Sequence, residues 1–205
     1  VDSGKFDWSG NTRFPQFNTP DPSYHGVVYS EAFEAPFIGR ARVVMLRNMG
    51  AALSAFNAFL ILQGLETLAL RMDRHVDNAL TVATHLKKHK KVSWVNYAGL
   101  PGDKYHDLAV KICSGKPSSI ISFGIVGGEG AGTKFIDALK LIKRLVNIGD
   151  AKTLACHPAS TTHRQLNEEE LQLAGVSSDL VRLSVGIENI TDIIQDIDQA
   201  LDAAK

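Results

Sequence analysis

The sequence predicts a small α+β domain, with helices layered on a sheet, from about residue 66 onward. Three patterns support this fold class. Apolar residues recur at helical spacing over residues 65–86, alternate with other residues over residues 180–185, and form one stripe over residues 190–204. They predict a long helix, a half-buried strand and a final helix that packs on the sheet.

The first 65 residues are expected to form an arm without a core of its own. Residues 1–30 are rich in Gly, Asn, Pro, Ser and aromatic residues and show no sustained period, which is typical of a long irregular segment. A helix is predicted over residues 35–48, ended by Gly50. Because Val1 is not a methionine and no signal-peptide pattern follows it, we expect the chain to begin inside a longer protein.

The last turns of the long helix are rich in lysine, and positive charge at this end of a helix interacts favourably with the helix dipole. Helices and strands alternate after it. Asn167 with Glu170 predicts a capping box, Gly175 is placed to end that helix, and Asn189 is expected to cap the last one. The expected strands cover residues 92–97, 119–126, 153–157 and 180–185, and the expected helices cover residues 106–113, 133–143, 167–173 and 190–204.

Composition narrows the class of partner. The 205 residues are 44% apolar and 21% charged, with 22 basic and 22 acidic side chains. Such a balance offers no basic field for nucleic acid or an anionic membrane, so a small molecule or a protein is the favoured partner. The longest apolar run, over residues 55–65, is shorter than a membrane span. Cys113 and Cys156 are too few for a disulfide framework, so a reducing cytoplasm is expected, and neither is assigned a role.

A glycine-rich stretch over residues 127–134 has two interpretations. Glycines ahead of a helix can wrap a phosphate. However, Thr133 precedes Lys134, whereas a P-loop has its lysine first, and the spacing differs from the dinucleotide fingerprint. A plain turn between a strand and a helix is therefore favoured over a phosphate site.

Other polar residues give weaker signals. His157 and His163 are six residues apart with a proline between them, which matches no common metal-ligand spacing, so a hydrogen-bonded turn is favoured and no metal is expected. The carboxylates form no sequence-local acid/base pair, and surface or capping roles are expected for Asp7, Asp150 and Glu188.

Arg182 is the strongest candidate for binding a ligand. It lies in the middle of the alternating strand, shortly before Gly186, and its guanidinium group suits a carboxylate. The alternative is an exposed sheet arginine or a partner in a structural ion pair.

Four longer stretches carry a more specific pattern. They read LRNMGAALS at residues 46–54, LQGLETLALRM at residues 62–72, TLACHPASTTH at residues 153–163 and VRLSVGIE at residues 181–188. Together, and in this order, they closely resemble the Cys/Met-metabolism family of pyridoxal-phosphate enzymes, and within it the O-acetylhomoserine sulfhydrylase branch. The resemblance covers essentially the whole chain.

The resemblance implies an α/β, type I aminotransferase-like fold, of which this chain supplies the C-terminal portion. Residues 1–65 would be the end of the large cofactor domain and a connecting arm, and residues 66–205 the small substrate domain. The family's ligand for the substrate α-carboxylate falls on Arg182, and a segment lining the same pocket falls on Asn147 and Ile148. Related lyases and synthases usually have serine where Asn147 stands, which favours the sulfhydrylase branch.

Some features depart from the family pattern. Asn48 stands where the family often has Asp, and Ala55 where it often has Pro, both changes of local turn structure. The family's Schiff-base lysine follows Ser/Thr-x-Thr, a context that Lys5 lacks, so it is expected upstream of Val1. The chain is therefore expected to hold no catalytic residue, to be inactive alone, and to depend on a missing N-terminal half for pyridoxal phosphate.

The implied activity is replacement of the acetate of O-acetyl-L-homoserine by sulfide, which gives homocysteine for methionine and cysteine biosynthesis. A cystathionine γ-synthase or γ-lyase of the same family is an alternative. An alternative of another class is a non-catalytic interaction module. A cytoplasmic homo-oligomer, in particular a tetramer with pockets built from several chains, is expected.

Overall fold

The computed structural model describes residues 2–204, which divide into two compact units. One unit runs up to Gln63 and the other begins at Gly64. The assignment of the first unit to the end of a larger cofactor domain stays a prediction.

The first unit consists of short helices and turns, and the helix expected over residues 35–48 is confirmed as three successive helical pieces. Gly50 follows them with φ at +66°, a conformation that favours glycine and ends the helix. The elements are 3₁₀ turns at Pro15–Phe17 and Pro22–Tyr24, helix α1 at Tyr29–Ala32, helix α2 at Pro36–Arg40, a π-helical turn at Ala41–Leu46 and helix α3 at Arg47–Met49.

The expectation that this arm lacks a core was wrong. The ring of Trp8 packs against Phe17, with centroids 4.5 Å apart, and against Phe14, with centroids 5.9 Å apart. The Tyr29 hydroxyl donates to Asp21 over 2.8 Å, and the side chains of Phe17 and Tyr29 are buried. Aromatic side chains can cluster without a helical or strand period, so the sequence pattern did not reveal this core.

Helix α4, Ala55–Glu66, was not predicted from the sequence. The Ser54 hydroxyl accepts from the Asn57 amide over 3.1 Å and so caps its first turn. The helix is apolar on every side, which leaves no amphipathic period to detect. Its exposed large side chains are Phe56, Phe59, Leu60, Ile61, Leu62 and Leu65.

The second unit begins its long helix later than expected. Helix α5 starts at Leu68, because Thr67 has a non-helical backbone, so Leu65 belongs to α4 instead. The elements that follow are α5 at Leu68–Lys88, β1 at Val92–Asn96, α6 at His106–Cys113, β2 at Ile120–Ile125, α7 at Gly128–Ala138, β3 at Lys143–Arg144, β4 at Leu154–Cys156, a 3₁₀ turn at Pro158–Ser160, α8 at Glu168–Leu173, β5 at Leu180–Ser184 and α9 at Ile190–Ala203.

These strands form one sheet in the order β1-β2-β5-β4-β3, antiparallel except for the β3–β4 pair. Helices α5 and α7 pack against this sheet, α9 packs against both helices, and buried side chains of all three share one core with the sheet. The four expected strands and the layered α+β arrangement are confirmed, as are the capping box of α8 and the Asn189 cap of α9. Within residues 2–204, no helix has the length and apolar character needed to cross a bilayer.

Helix α7 departs from the prediction by five residues at each end. The expected span was residues 133–143, whereas the glycines of the glycine-rich stretch already form its first turns. It ends early because Asp196 of α9 accepts hydrogen bonds from the amides of Lys140, Leu141 and Ile142, which are therefore turned away from helical pairing. The two-residue strand β3 was not predicted.

Candidate functional site

Strand β5 places Arg182 on the face of the sheet opposite the helices. Val181, Leu183 and Val185 are completely buried in the core, and alternation turns Arg182 the other way. Because β5 is the central strand, Arg182 has a neighbour on each side, Ser122 of β2 and Cys156 of β4. The strand is more deeply buried than the expected half-buried one, since Ser184 is buried as well.

The guanidinium group of Arg182 is only lightly engaged. Its Nη2 donates to the main-chain oxygen of Asn147 over 3.2 Å. Within the part of the chain that the structure describes, Arg182 forms no ion pair with a carboxylate. The structural ion pair considered as an alternative is therefore absent from residues 2–204, and donors of the guanidinium fork remain for a ligand.

A cavity of about 490 Å³ opens beside Arg182. This volume lies in the range of small-molecule sites. Its wall is mixed, with apolar side chains around a few polar groups. The residues that line it include Ile120, Ser122, Val146, Cys156, His163 and Arg182.

Cys156 lies next to Arg182 without neutralising it. Burial raises the pKa of the Cys156 thiol, and the positive charge of Arg182 opposes this rise without cancelling it. The thiol therefore stays protonated near neutral pH. A thiolate would be a counter-ion for the guanidinium group, so the protonated thiol leaves the charge of Arg182 available for an incoming anion.

The two other residues expected in the site behave differently. Asn147 reaches Arg182 through its main-chain oxygen, while its side-chain oxygen accepts from the amide of Ile148 over 2.9 Å. The side chain of Ile148 is 67% exposed, and the neighbouring Val146, not Ile148, lines the cavity. A substrate contact of Asn147 and Ile148 stays a prediction.

The His-Pro segment forms the polar turn that was expected. The Nε2 of His157 donates to the Ser178 carbonyl over 2.9 Å, and its Nδ1 lies 2.8 Å from the Ser160 hydroxyl. Among the described residues, no cluster of His, Cys, Asp and Glu could hold a metal ion. The glycine-rich stretch has a packing role here, because a Cβ on Gly132 would lie 2.6 Å from the imidazole ring of His157.

Several residues around Arg182 were missed at the level of sequence. Cys156 had no assigned role, although its alternation along β4 places it on the Arg182 face. Thr153 and Glu188 also form a hydrogen-bonded pair beside the segment that carries Asn147. They are 35 residues apart, so no local pattern could have joined them.

A single unpaired arginine in a small cavity of an α+β sheet domain defines a candidate carboxylate-binding site. The model of the Cys/Met metabolism PLP-dependent enzymes matches residues 12–202. The chain belongs to this family.

Relatives are found along the whole chain. It is 51% identical to the homocysteine synthase of Schizosaccharomyces pombe over 206 residues, covering 100% of this chain and 48% of the relative. It is 50% identical to O-acetyl-L-homoserine sulfhydrylase 1 of Thermus thermophilus, with 98% and 48% covered. The chain thus spans about half the length of the curated relatives that it matches.

A solved structure shows the same fold. An O-acetylhomoserine (thiol)-lyase of Campylobacter jejuni matches with a TM-score of 0.84 and 42% identity, over 95% of this chain and 46% of that one. That crystal structure contains N'-pyridoxyl-lysine-5'-monophosphate. The chain therefore has the fold of the corresponding part of a type I PLP-dependent enzyme.

The cavity beside Arg182 does not by itself suit pyridoxal phosphate. Among the described residues that line it there is no lysine to bond the aldehyde, and Arg182 is the sole guanidinium group there. One guanidinium group suits a substrate carboxylate, whereas the cofactor also needs an amine and a phosphate cradle. The residues that line this cavity fit a carboxylate ligand and not the cofactor.

Proposed function

We propose that this chain is the substrate-binding half of a PLP-dependent O-acetyl-L-homoserine sulfhydrylase. The intact enzyme would replace the acetate of O-acetyl-L-homoserine with sulfide and release homocysteine. The observation that carries this proposal is the Arg182 guanidinium group, which has no carboxylate partner in residues 2–204 and faces a cavity of substrate size. The relatives named as homocysteine synthase and O-acetyl-L-homoserine sulfhydrylase support the choice of reaction.

In this proposal Arg182 binds the α-carboxylate of the amino-acid substrate. A planar guanidinium group can donate two parallel hydrogen bonds to a carboxylate, which fixes direction as well as position. The main-chain oxygen of Asn147 accepts a hydrogen bond from Nη2 and so limits the rotation of the guanidinium group. Asn147 and Ile148 would border the bound substrate, Asn147 through its main chain and Ile148 through its exposed side chain.

The cofactor and its lysine would come from the half of the enzyme that lies outside this chain. Pyridoxal phosphate supplies an electron sink that makes the substrate C–H bonds acidic and lets acetate leave. This chain would fix the substrate carboxylate, so that the reacting bonds are oriented toward the cofactor. The chain alone is therefore proposed to be inactive.

The exposed apolar side chains of α4 support a partner. A helix that is apolar on every side is normally buried, whereas in α4 the side chains of Phe56, Phe59 and Leu62 are exposed. We propose that the cofactor half, and neighbouring subunits of a homotetramer, cover this surface. The two free cysteines support a cytoplasmic location.

Two other functions remain as alternatives. A cystathionine γ-synthase or γ-lyase would use the same arginine on a different substrate, and Asn147 is the feature that favours the sulfhydrylase. A non-catalytic interaction module would have no need of an unpaired arginine beside a cavity.

The test uses the intact protein, in which this chain is joined to its cofactor half. Homocysteine formation from O-acetyl-L-homoserine and sulfide is measured, with cysteine as the competing nucleophile and methionine as a lyase substrate. We expect sulfide to be strongly preferred. A strong preference for cysteine would favour the synthase, and an absence of turnover with all three would favour the interaction module.

A further inference from the structure

We propose that Glu188 and Thr153 are positioning residues that hold the segment carrying Asn147 against Arg182. The inference rests on the proposed function of Arg182 as the carboxylate anchor and adds residues to that site. Glu188 and Thr153 do not line the cavity beside Arg182. Their effect must therefore pass through the backbone that they fix.

Glu188 and Thr153 form a closed set of hydrogen bonds. The Glu188 carboxylate accepts from the Thr153 amide over 2.6 Å with one oxygen and from the Thr153 hydroxyl over 2.8 Å with the other. The Thr153 hydroxyl accepts in turn from the Gly186 amide over 2.9 Å. The threonine is fully buried, and its bond with Gly186 is buried as well, whereas its two bonds with Glu188 are partly buried.

Gly186 is required for this close approach. A Cβ at this position would lie 2.5 Å from the Ala151 oxygen and from the Thr153 nitrogen, and closer still to the Glu188 carboxylate. The Ile187 amide also donates to the Ala151 oxygen over 2.9 Å. The end of β5 and the end of the Asn147 segment are therefore packed backbone against backbone.

Helix α5 also holds the main chain that follows β5. The side-chain amide of Asn78 donates to the main-chain oxygens of Gly186 and Glu188, both over 3.0 Å. Asn78 is 2% exposed, so it cannot exchange these partners for water without opening the core. The clamp formed by Glu188 and Thr153 is thus anchored to the packed part of the second unit.

This geometry links the clamp to the proposed anchor. Arg182 lies in β5, four residues before Gly186, which follows the end of that strand, and Asn147 lies six residues before Thr153 on the clamped segment. Fixing Thr153 against the end of β5 therefore sets where the Asn147 oxygen meets the guanidinium group. Without the clamp, the segment that carries Asn147 would change position, and the guanidinium group of Arg182 would no longer be held in a fixed orientation.

The kinetic test compares Thr153→Val with Thr153→Ser in the intact enzyme. Valine keeps the shape and removes the hydroxyl group, whereas serine keeps the hydroxyl group. We expect Thr153→Val to raise the KM for O-acetyl-L-homoserine about five- to tenfold, as for a lost buried hydrogen bond, with kcat and the KM for sulfide little changed. Thr153→Ser should restore the KM to within about twofold of the wild-type value.

The second readout needs no activity and uses the 205-residue chain. Hydrogen exchange of a peptide covering residues 145–153 should be faster in Thr153→Val and unchanged in Thr153→Ser. If Thr153→Val does not fold, Glu188→Gln, which keeps one of the two accepting oxygens, should show the same change at smaller size. Equal exchange in wild type and variant would overturn the clamp, whereas changed exchange in a protein without sulfhydrylase activity would overturn the proposed function alone.

Discussion

At the scale of single residues, the unpaired guanidinium group of Arg182 decides what the site can bind. A charged group with one neutral hydrogen-bond partner has much to gain from a carboxylate that enters its cavity. The protonated thiol of Cys156 beside it leaves this charge uncompensated. The site is therefore ready for an anion before the substrate arrives.

Replacing Arg182 should weaken substrate binding. In the intact enzyme, we expect Arg182→Ala to raise the KM for O-acetyl-L-homoserine about 30-fold or more, since losing one partner of a buried charge pair costs about 2–5 kcal/mol. Arg182→Lys is the matched control and should be intermediate, because it keeps the charge and loses the planar fork. Steady-state kinetics measure both variants. Unchanged KM and kcat in Arg182→Ala would show that Arg182 does not bind the substrate and has a structural role.

The two thiols should react at different rates. Burial holds the pKa of Cys156 above its ordinary value, whereas Cys113 is exposed. The folded protein therefore holds the Cys156 proton more tightly than the unfolded chain does. This difference stabilises the fold at low pH, and the stabilisation is lost as the pH rises above the pKa that the Cys156 thiol has in the unfolded chain. Timed alkylation at pH 8 with peptide mass spectrometry should label Cys113 first and Cys156 only after unfolding. Equal rates in the folded chain would contradict the protonated, shielded thiol.

The sequence could predict some of this site and not the rest. Strict alternation placed Arg182 opposite the core, and the resemblance added Asn147, 35 residues away. The clamp formed by Glu188 and Thr153 could not be predicted, because it depends on how the end of β5 meets a distant segment. Ile148 was expected beside the substrate, and its exposed side chain leaves that role to be tested.

At the scale of elements, the sequence predicted those with a clear period. Helix α9 and strand β5 have distinct apolar faces and were predicted closely. Helix α4 has none, so only Ser54 could have indicated its start. The predicted bounds of helix α7 were shifted toward the C-terminus, because glycines usually indicate a turn. Here they allow a helix to pack closely on a neighbouring side chain.

Two glycines of α7 offer a matched test of that packing. In Gly132→Ala the new Cβ would meet the His157 ring at 2.6 Å, and overpacking of this kind destabilises by about 1–3 kcal/mol. Gly130 has nothing within 4 Å of such a Cβ, so Gly130→Ala should stabilise the helix by up to about 1 kcal/mol. Urea unfolding of the two variants measures the difference, and equal stabilities would contradict a packing role for Gly132.

At the scale of the whole molecule, the proposed division of the site between two halves of the enzyme has a chemical test. We expect the 205-residue chain, treated with pyridoxal phosphate and borohydride, to show no stoichiometric label on any one lysine, because no lysine lines the cavity in the described residues. The intact protein is the control and should be labelled on one lysine outside this chain. Peptide mapping reads both, and a single labelled lysine inside this chain would show that the cofactor site was misplaced.

The two units should also differ in their resistance to proteolysis. The first has a small aromatic core around Phe17 and Tyr29, whereas the second has a five-stranded sheet covered by helices α5, α7 and α9. Residues 50–54 are exposed and lie in neither helix nor strand, so a protease of broad specificity should cut there first.

We therefore expect subtilisin to remove the first unit from the isolated chain and to leave a fragment that begins near residue 65. The small core of the first unit opens more easily than the sheet of the second, so its fragments should be degraded while the second unit persists. In the intact enzyme, the cofactor half should cover α4 and slow the first cut. Intact-mass measurement of timed digests follows both reactions. If the first unit of a monomeric sample resists cleavage as well as the second, the chain is a self-sufficient domain and the half-enzyme proposal fails.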